Sequence, residues 1–81
     1  MHVRIRLFAR LRELTGASEL TRNLDGAPTA ADAWAGLVGD FPALAGYTRS
    51  VSCAVNEEYA RMGTPLQDGD EVAFLPPVSG G

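Results

Sequence analysis

Glu71-Val72-Ala73-Phe74-Leu75-Pro76-Pro77-Val78-Ser79-Gly80-Gly81 joins a strand, a diproline and a diglycine in direct succession. Val72 and Phe74 alternate with Glu71, Ala73 and Leu75, the period of two expected of a strand that buries one face. Proline cannot donate to a β-ladder and holds φ at about −65°. The strand is therefore expected to end before Pro76, and the remainder to leave the body extended. Gly80 and Gly81 carry no side chains, so the tip can enter a channel too narrow for any other residue, and the reactive group is then the α-carboxylate of Gly81. By composition alone, Ser79-Gly80-Gly81 also fits a frayed terminus. The expected division is a folded domain over residues 1–77 and a flexible reactive tail over 78–81.

Working back from that strand, Asp68-Gly69-Asp70-Glu71 reads as a β-turn, because its carboxylates cluster tightly around one glycine and lack the longer ligand series of a calcium loop. No metal site is expected. At the other end, Val3, Ile5 and Leu7 alternate with His2, Arg4 and Arg6, a first strand. Ala9 to Leu14 then supplies a short helix closed by Gly16, and Leu20, Thr21 and Leu24 a second strand that ends at Asp25-Gly26 and returns beside the first.

The strongest helix signal starts at Thr29, which can cap the first turn while Asp32 completes an acidic capping box. Trp34, Leu37, Val38 and Phe41 follow at helical spacing and predict a stripe facing a sheet, with Gly39 and Phe41-Pro42 marking the end. Trp34 is read as core. Val51, Cys53 and Val55 alternate with Ser52, Ala54 and Asn56, giving a strand that buries Cys53 as a small hydrophobe. The rival role for Cys53, a nucleophile, lacks a basic or histidine partner nearby in sequence. The stretch from Pro42 to Ser50 carries no distinctive signal. Together these elements predict an α+β fold, a mixed sheet of four to five strands on one main helix.

At 81 residues with 46% hydrophobic content, the chain can build a single core without covalent staples. One cysteine leaves no internal disulfide and no multi-thiolate metal site, and points to a reducing, cytoplasmic location. The net charge of −3 argues against a nucleic-acid surface. The arginine-interleaved N-terminus reads as neither a signal peptide nor a membrane span. All seven basic residues are arginines, so the only aliphatic amine is at Met1.

Three segments carry a resemblance to a known family: VRIRLFARLRELTG at 3 to 16, CAVNEEYA at 53 to 60 and PLQDGDEVAFLPPVSGG at 65 to 81. They resemble the small, sulfur-carrying subunit of molybdopterin synthase, a ubiquitin-like β-grasp protein. The resemblance implies that the Gly81 carboxylate is adenylated by a ubiquitin-activating-like enzyme that consumes ATP, and that a sulfur donor then displaces AMP to leave a thiocarboxylate. It further implies that Pro76, Pro77, Val78, Ser79 and Gly80 form the segment inserted into the large synthase subunit, within a heterotetramer. There the sulfur passes to a cyclic pterin precursor. The chain itself is expected to bind no cofactor and to catalyse nothing alone.

Strand phase points to the docking face. Phe8 falls on the side of His2, Arg4 and Arg6, and Leu75 falls out of phase with Val72 and Phe74, so two apolar residues are directed outward near the tail. Tyr59 occupies an apolar interface position in the family, and Arg12 joins these three as an expected partner contact. Two alternatives use the same tail and fold: a sulfur carrier for thiamine or another thiolated product, and a modifier that forms isopeptide bonds with target lysines.

Overall fold

The computed structural model describes residues 1–77. In chain order these form β1 (His2–Leu7), α1 (Ala9–Thr15), β2 (Glu19–Asn23), α2 (Ala30–Asp40), a 3-10 helix (Pro42–Tyr47), β3 (Ser52–Val55), β4 (Glu58–Ala60) and β5 (Glu71–Leu75). The strands make one sheet in the order β2-β1-β5-β3-β4. β1 and β5 pair in parallel at its centre, and every other pairing is antiparallel. A mixed sheet with one main helix laid across a single face is the expected β-grasp architecture. No helix of the described residues is long and apolar enough to cross a membrane.

The buried face follows strand alternation. Val3, Ile5 and Leu7 from β1, Val72 and Phe74 from β5 and Cys53 from β3 all point beneath the sheet. Burial of these apolar side chains, each worth about 1.5–3 kcal/mol, supplies most of the driving force for folding. α2 opens with both halves of the capping box: the Thr29 hydroxyl accepts from the Asp32 amide at 3.3 Å, and the Thr29 amide donates to the Asp32 carboxylate at 2.8 Å. The face it buries is not quite the stripe predicted. Ala30, Ala33, Trp34 and Leu37 are the buried set, while Val38 lies at the margin and Phe41 caps the helix end. Small alanines let the helix backbone approach the sheet, a requirement that a search for large apolar residues does not register. Trp34 is core as expected, its ring tilted against Phe74 at 5.1 Å between centroids and its indole N–H donating to the Thr48 hydroxyl at 3.1 Å.

Two elements were not read from sequence. The 3-10 helix after Pro42 buries Leu44 against the core, although its sequence has no amphipathic period long enough to notice. β4, only three residues long, follows the two-residue turn Asn56-Glu57, where both residues have positive φ (51° and 71°). That pattern is a type I′ hairpin turn, and asparagine at its first position was the available signal.

Cys53 is 1% exposed, and its thiol donates to the Ala60 carbonyl at 3.3 Å. Burial pushes the thiol pKa up, so it stays neutral. Cys53→Ser is expected to cost about 1 kcal/mol, the penalty of a hydroxyl in an apolar site with one hydrogen-bond partner retained. Urea unfolding checks the stability, and full charging of Gly81 in the folded variant would separate the residue from the chemistry.

Candidate functional site

Among the described residues, no helix lies on the face of the sheet opposite α2. The side chains of that face are the outward half of each strand, and the register places them in rows. Arg6 of β1 lies beside Ala73 of β5, Ala73 beside Ala54 of β3, and Ala54 beside Tyr59 of β4. Two alanines at the centre of a four-strand row leave a depression with taller side chains around it. A groove of about 200 Å³ results, lined by Arg6, Phe8, Ala54, Glu57, Tyr59, Glu71, Ala73 and Leu75.

Phe8 is no longer in β1 but is the N-cap residue of α1, where an extended backbone (φ −120°, ψ 153°) continues the strand's phase by one residue. Its ring carries the Arg6 guanidinium at 5.1 Å from the centroid, a cation–π contact of about 0.5–1 kcal/mol at such a surface. Glu71 binds both arginines of β1, Arg4 at 3.2 Å and Arg6 at 3.4 Å. The arginine ends of both pairs are open to solvent, which limits what they add to stability, and the Arg6 pair places its guanidinium between Glu71 and the Phe8 ring. Tyr59 is 82% exposed and stands out as the large hydrophobic residue with the least cover. Leu75 closes the groove at the end of β5, and Pro76 and Pro77 leave the strand from that point.

Of the expected partner contacts, Phe8, Tyr59 and Leu75 therefore share one groove. Arg12 does not line it. It is exposed on α1 and borders a neighbouring depression with Arg6, Leu7, Phe8, Ser18 and Glu19. Val78, Ser79, Gly80 and Gly81 lie outside the described residues. Sequence reasoning missed Arg6, Glu57 and Glu71 on the rim and Ala54 and Ala73 on the floor. The same two-residue phase that selected Phe8 and Leu75 also selects Arg6, Glu71 and Ala73, but alanine and charged residues draw no attention as outward residues. Glu57 and the pairing of Ala54 with Tyr59 needed β4. Among the described residues no group of three His, Cys, Asp or Glu side chains could hold a metal ion. The carboxylates near Gly69 instead accept hydrogen bonds, Asp68 from the His2 amide at 2.7 Å and Asp70 from the Gln67 amide at 2.8 Å.

The position of β4, and hence of Tyr59, depends on one turn. Asn56 donates from its amide N–H to the Glu71 carbonyl (2.8 Å), accepts from the Glu71 N–H through its side-chain oxygen (3.0 Å) and donates from Nδ2 to Asp70 (3.0 Å). Asn56→Ala removes both side-chain bonds and places alanine at positive φ, with an expected loss of about 1–2 kcal/mol. Asn56→Gly should recover part of that loss, because glycine relieves the backbone term alone. Denaturation midpoints of the two variants check this.

Known proteins share both the sequence and the shape. A relative from Arabidopsis thaliana named molybdopterin synthase sulfur carrier subunit is 40% identical over 81 residues, covering 100% of this chain and 84% of that protein. A relative of the same name from Chlamydomonas reinhardtii is 42% identical and is covered end to end, as is this chain. The crystal structure of SAMP1 from Haloferax volcanii superimposes with a TM-score of 0.84 at 35% identity, with full coverage of both chains. The ThiS family matches residues 5–81, the whole sheet apart from the first residues of β1 together with the terminal motif, and the chain belongs to that family.

Proposed function

We propose that this chain is the sulfur-carrier subunit of a molybdopterin synthase, acting in molybdenum cofactor biosynthesis in the cytoplasm. The observation that carries the reading is the continuity of groove and tail: β5 contributes Ala73 and Leu75 to an open, partly apolar face and then runs directly into Pro76-Pro77 and the diglycine. End-to-end similarity to proteins named as sulfur-carrier subunits supports it. A large subunit would seat on the groove while residues 76–81 enter its pocket.

The chemistry uses one group. A Gly81 carboxylate oxygen attacks the α-phosphorus of ATP in the active site of a ubiquitin-activating-like enzyme, and pyrophosphate leaves. Hydrosulfide-level sulfur from a donor then attacks the acyl carbon, AMP departs with the bonding pair, the sulfur's proton goes to solvent, and a thiocarboxylate remains with no change of oxidation state. Within the synthase, a heterotetramer with the large subunit, that sulfur is passed to a cyclic pterin precursor. The carrier brings the reactive atom, and the large subunit brings the catalytic groups. No residue of the body takes part in bond making, and no cofactor resides on it.

Intact-protein mass spectrometry after incubation with an activating enzyme, ATP and a sulfur donor tests the reading. The expected product has one oxygen replaced by sulfur at Gly81. A wild-type chain that is never charged there would overturn it. Similarity to a protein named small archaeal modifier protein 1, 37% identical over 84 residues, favours one second reading, a protein modifier. Affinity capture from cells separates the two: a stable complex with a pterin synthase subunit, or a ladder of covalent adducts.

A further inference from the structure

We propose that this protein is a one-way acyl donor: its activated C-terminus can be passed to other molecules, but its own body cannot accept the activated C-terminus of a second copy. The inference rests on the reading of Gly81 as the activated group. An acyl adenylate or thioester at Gly81 is attacked by amines and thiolates. The nitrogen or sulfur bonds to the carbonyl carbon, AMP or the thiol leaves with its electron pair, and an amine's proton goes to solvent.

Each amine and thiol on the body is closed in its own way. Lysine is absent from all 81 residues. The seven arginines are no substitute, because the guanidinium stays protonated and its nitrogen lone pairs are delocalised. Arg49 and Arg61 are exposed, so they hold positive charge at the surface without a nucleophile. The Met1 ammonium is partly buried and donates to the Leu24 carbonyl at 3.2 Å. The Met1 carbonyl accepts in turn from the Leu24 amide at 2.8 Å, and the Met1 side chain packs against the core. These contacts hold the amine against the end of β2. Cys53 lies beneath the sheet, 1% exposed, with its thiol committed to the Ala60 carbonyl. A thiol without access to solvent cannot meet an acyl group on another protein. His2 is exposed, but an acyl-imidazole is itself hydrolysed and leaves no lasting bond.

Two consequences follow. Charged chains can accumulate at high concentration without cross-linking, so the tail reaches its partner intact. If the chain also modifies proteins, each target amine receives one copy and no polymer grows from it.

The test uses a C-terminal thioester of the full chain, prepared by intein thiolysis and held concentrated at mildly alkaline pH. Intact mass is expected to show hydrolysis to the free acid and no species of about 17 kDa, twice the 8.6 kDa chain. Arg49→Lys and Arg61→Lys keep the surface charge and add an amine. Both are expected to yield the dimer, with a peptide joining Gly81 to the new lysine. A wild-type dimer linked through Met1 or Cys53 would overturn the proposal, as would lysine variants that remain monomeric while hydrolysing at the wild-type rate. The thioester is made without any activating enzyme. Failure of enzymatic charging therefore counts against the carrier function alone, and a wild-type dimer counts against this inference alone.

Discussion

Deleting Gly81, or appending one residue to it, is expected to abolish pterin sulfuration in a reconstituted synthase while leaving the thermal melt within error of wild type. The two readouts separate because a terminal glycine buries almost no surface, yet it carries the only carboxylate that the chemistry uses. Gly80→Val sharpens the test. The carboxylate remains, but a β-branched side chain stiffens the backbone and widens a segment that must enter both the activating enzyme and the synthase pocket. Slower adenylation, slower transfer or both are expected, read by pyrophosphate release and by single-turnover sulfur transfer. Pterin sulfuration by the Gly81 deletion would remove the carboxylate from the mechanism.

The second large effect concerns the groove. Leu75→Asp and Phe8→Asp each place a charge that docking would desolvate next to Ala73 and Arg6, and Tyr59→Asp does so on β4. Truncating or charging a central interface residue costs about 2 kcal/mol or more, roughly a 30-fold rise in Kd for the large subunit. The monomer should stay folded, since Phe8 and Leu75 are only half-buried and Tyr59 is 82% exposed. Calorimetric titration with the large subunit measures the loss. Arg49→Asp, whose side chain lines none of the groove, serves as the charge control. Unchanged affinity in all three groove variants would assign docking to another face.

The groove also explains why only part of this site was legible in the amino-acid sequence. Period-two alternation is a local property, and it correctly assigned Val3, Ile5, Leu7, Val72 and Phe74 inward and Leu75 outward. The capping box at Thr29 and Asp32 is equally local, since both halves lie within one turn of helix. β4 was missed because three residues are too few to show a period, and its pairing is with β3, not with its own sequence. The buried face of α2 was displaced from the predicted stripe for a related reason. Whether Ala33 or Val38 faces the sheet depends on how closely the helix approaches it, and Ala33 shares the buried core with Phe74 and Leu44 from elsewhere in the chain while Val38 lies at its margin.

Sequence alone was sufficient for the features that depend on neighbours along the chain. These are strand phase, the caps, the proline stop after Leu75, the absence of lysine and the diglycine motif, because backbone sterics and side-chain chemistry act within a few residues. Tertiary structure decided which side chains meet. Arg6 lies over Phe8 because α1 begins with an extended residue, Glu71 bridges Arg4 and Arg6 because β1 and β5 pair in parallel, and Tyr59 borders Ala54 because of the Asn56-Glu57 turn. The Glu71 bridges join residues 67 and 65 apart in the chain, and even the short-range contacts depend on how the surrounding strands pair. The free energy that selects them comes from closing the whole sheet over one core, a quantity that no single segment contains.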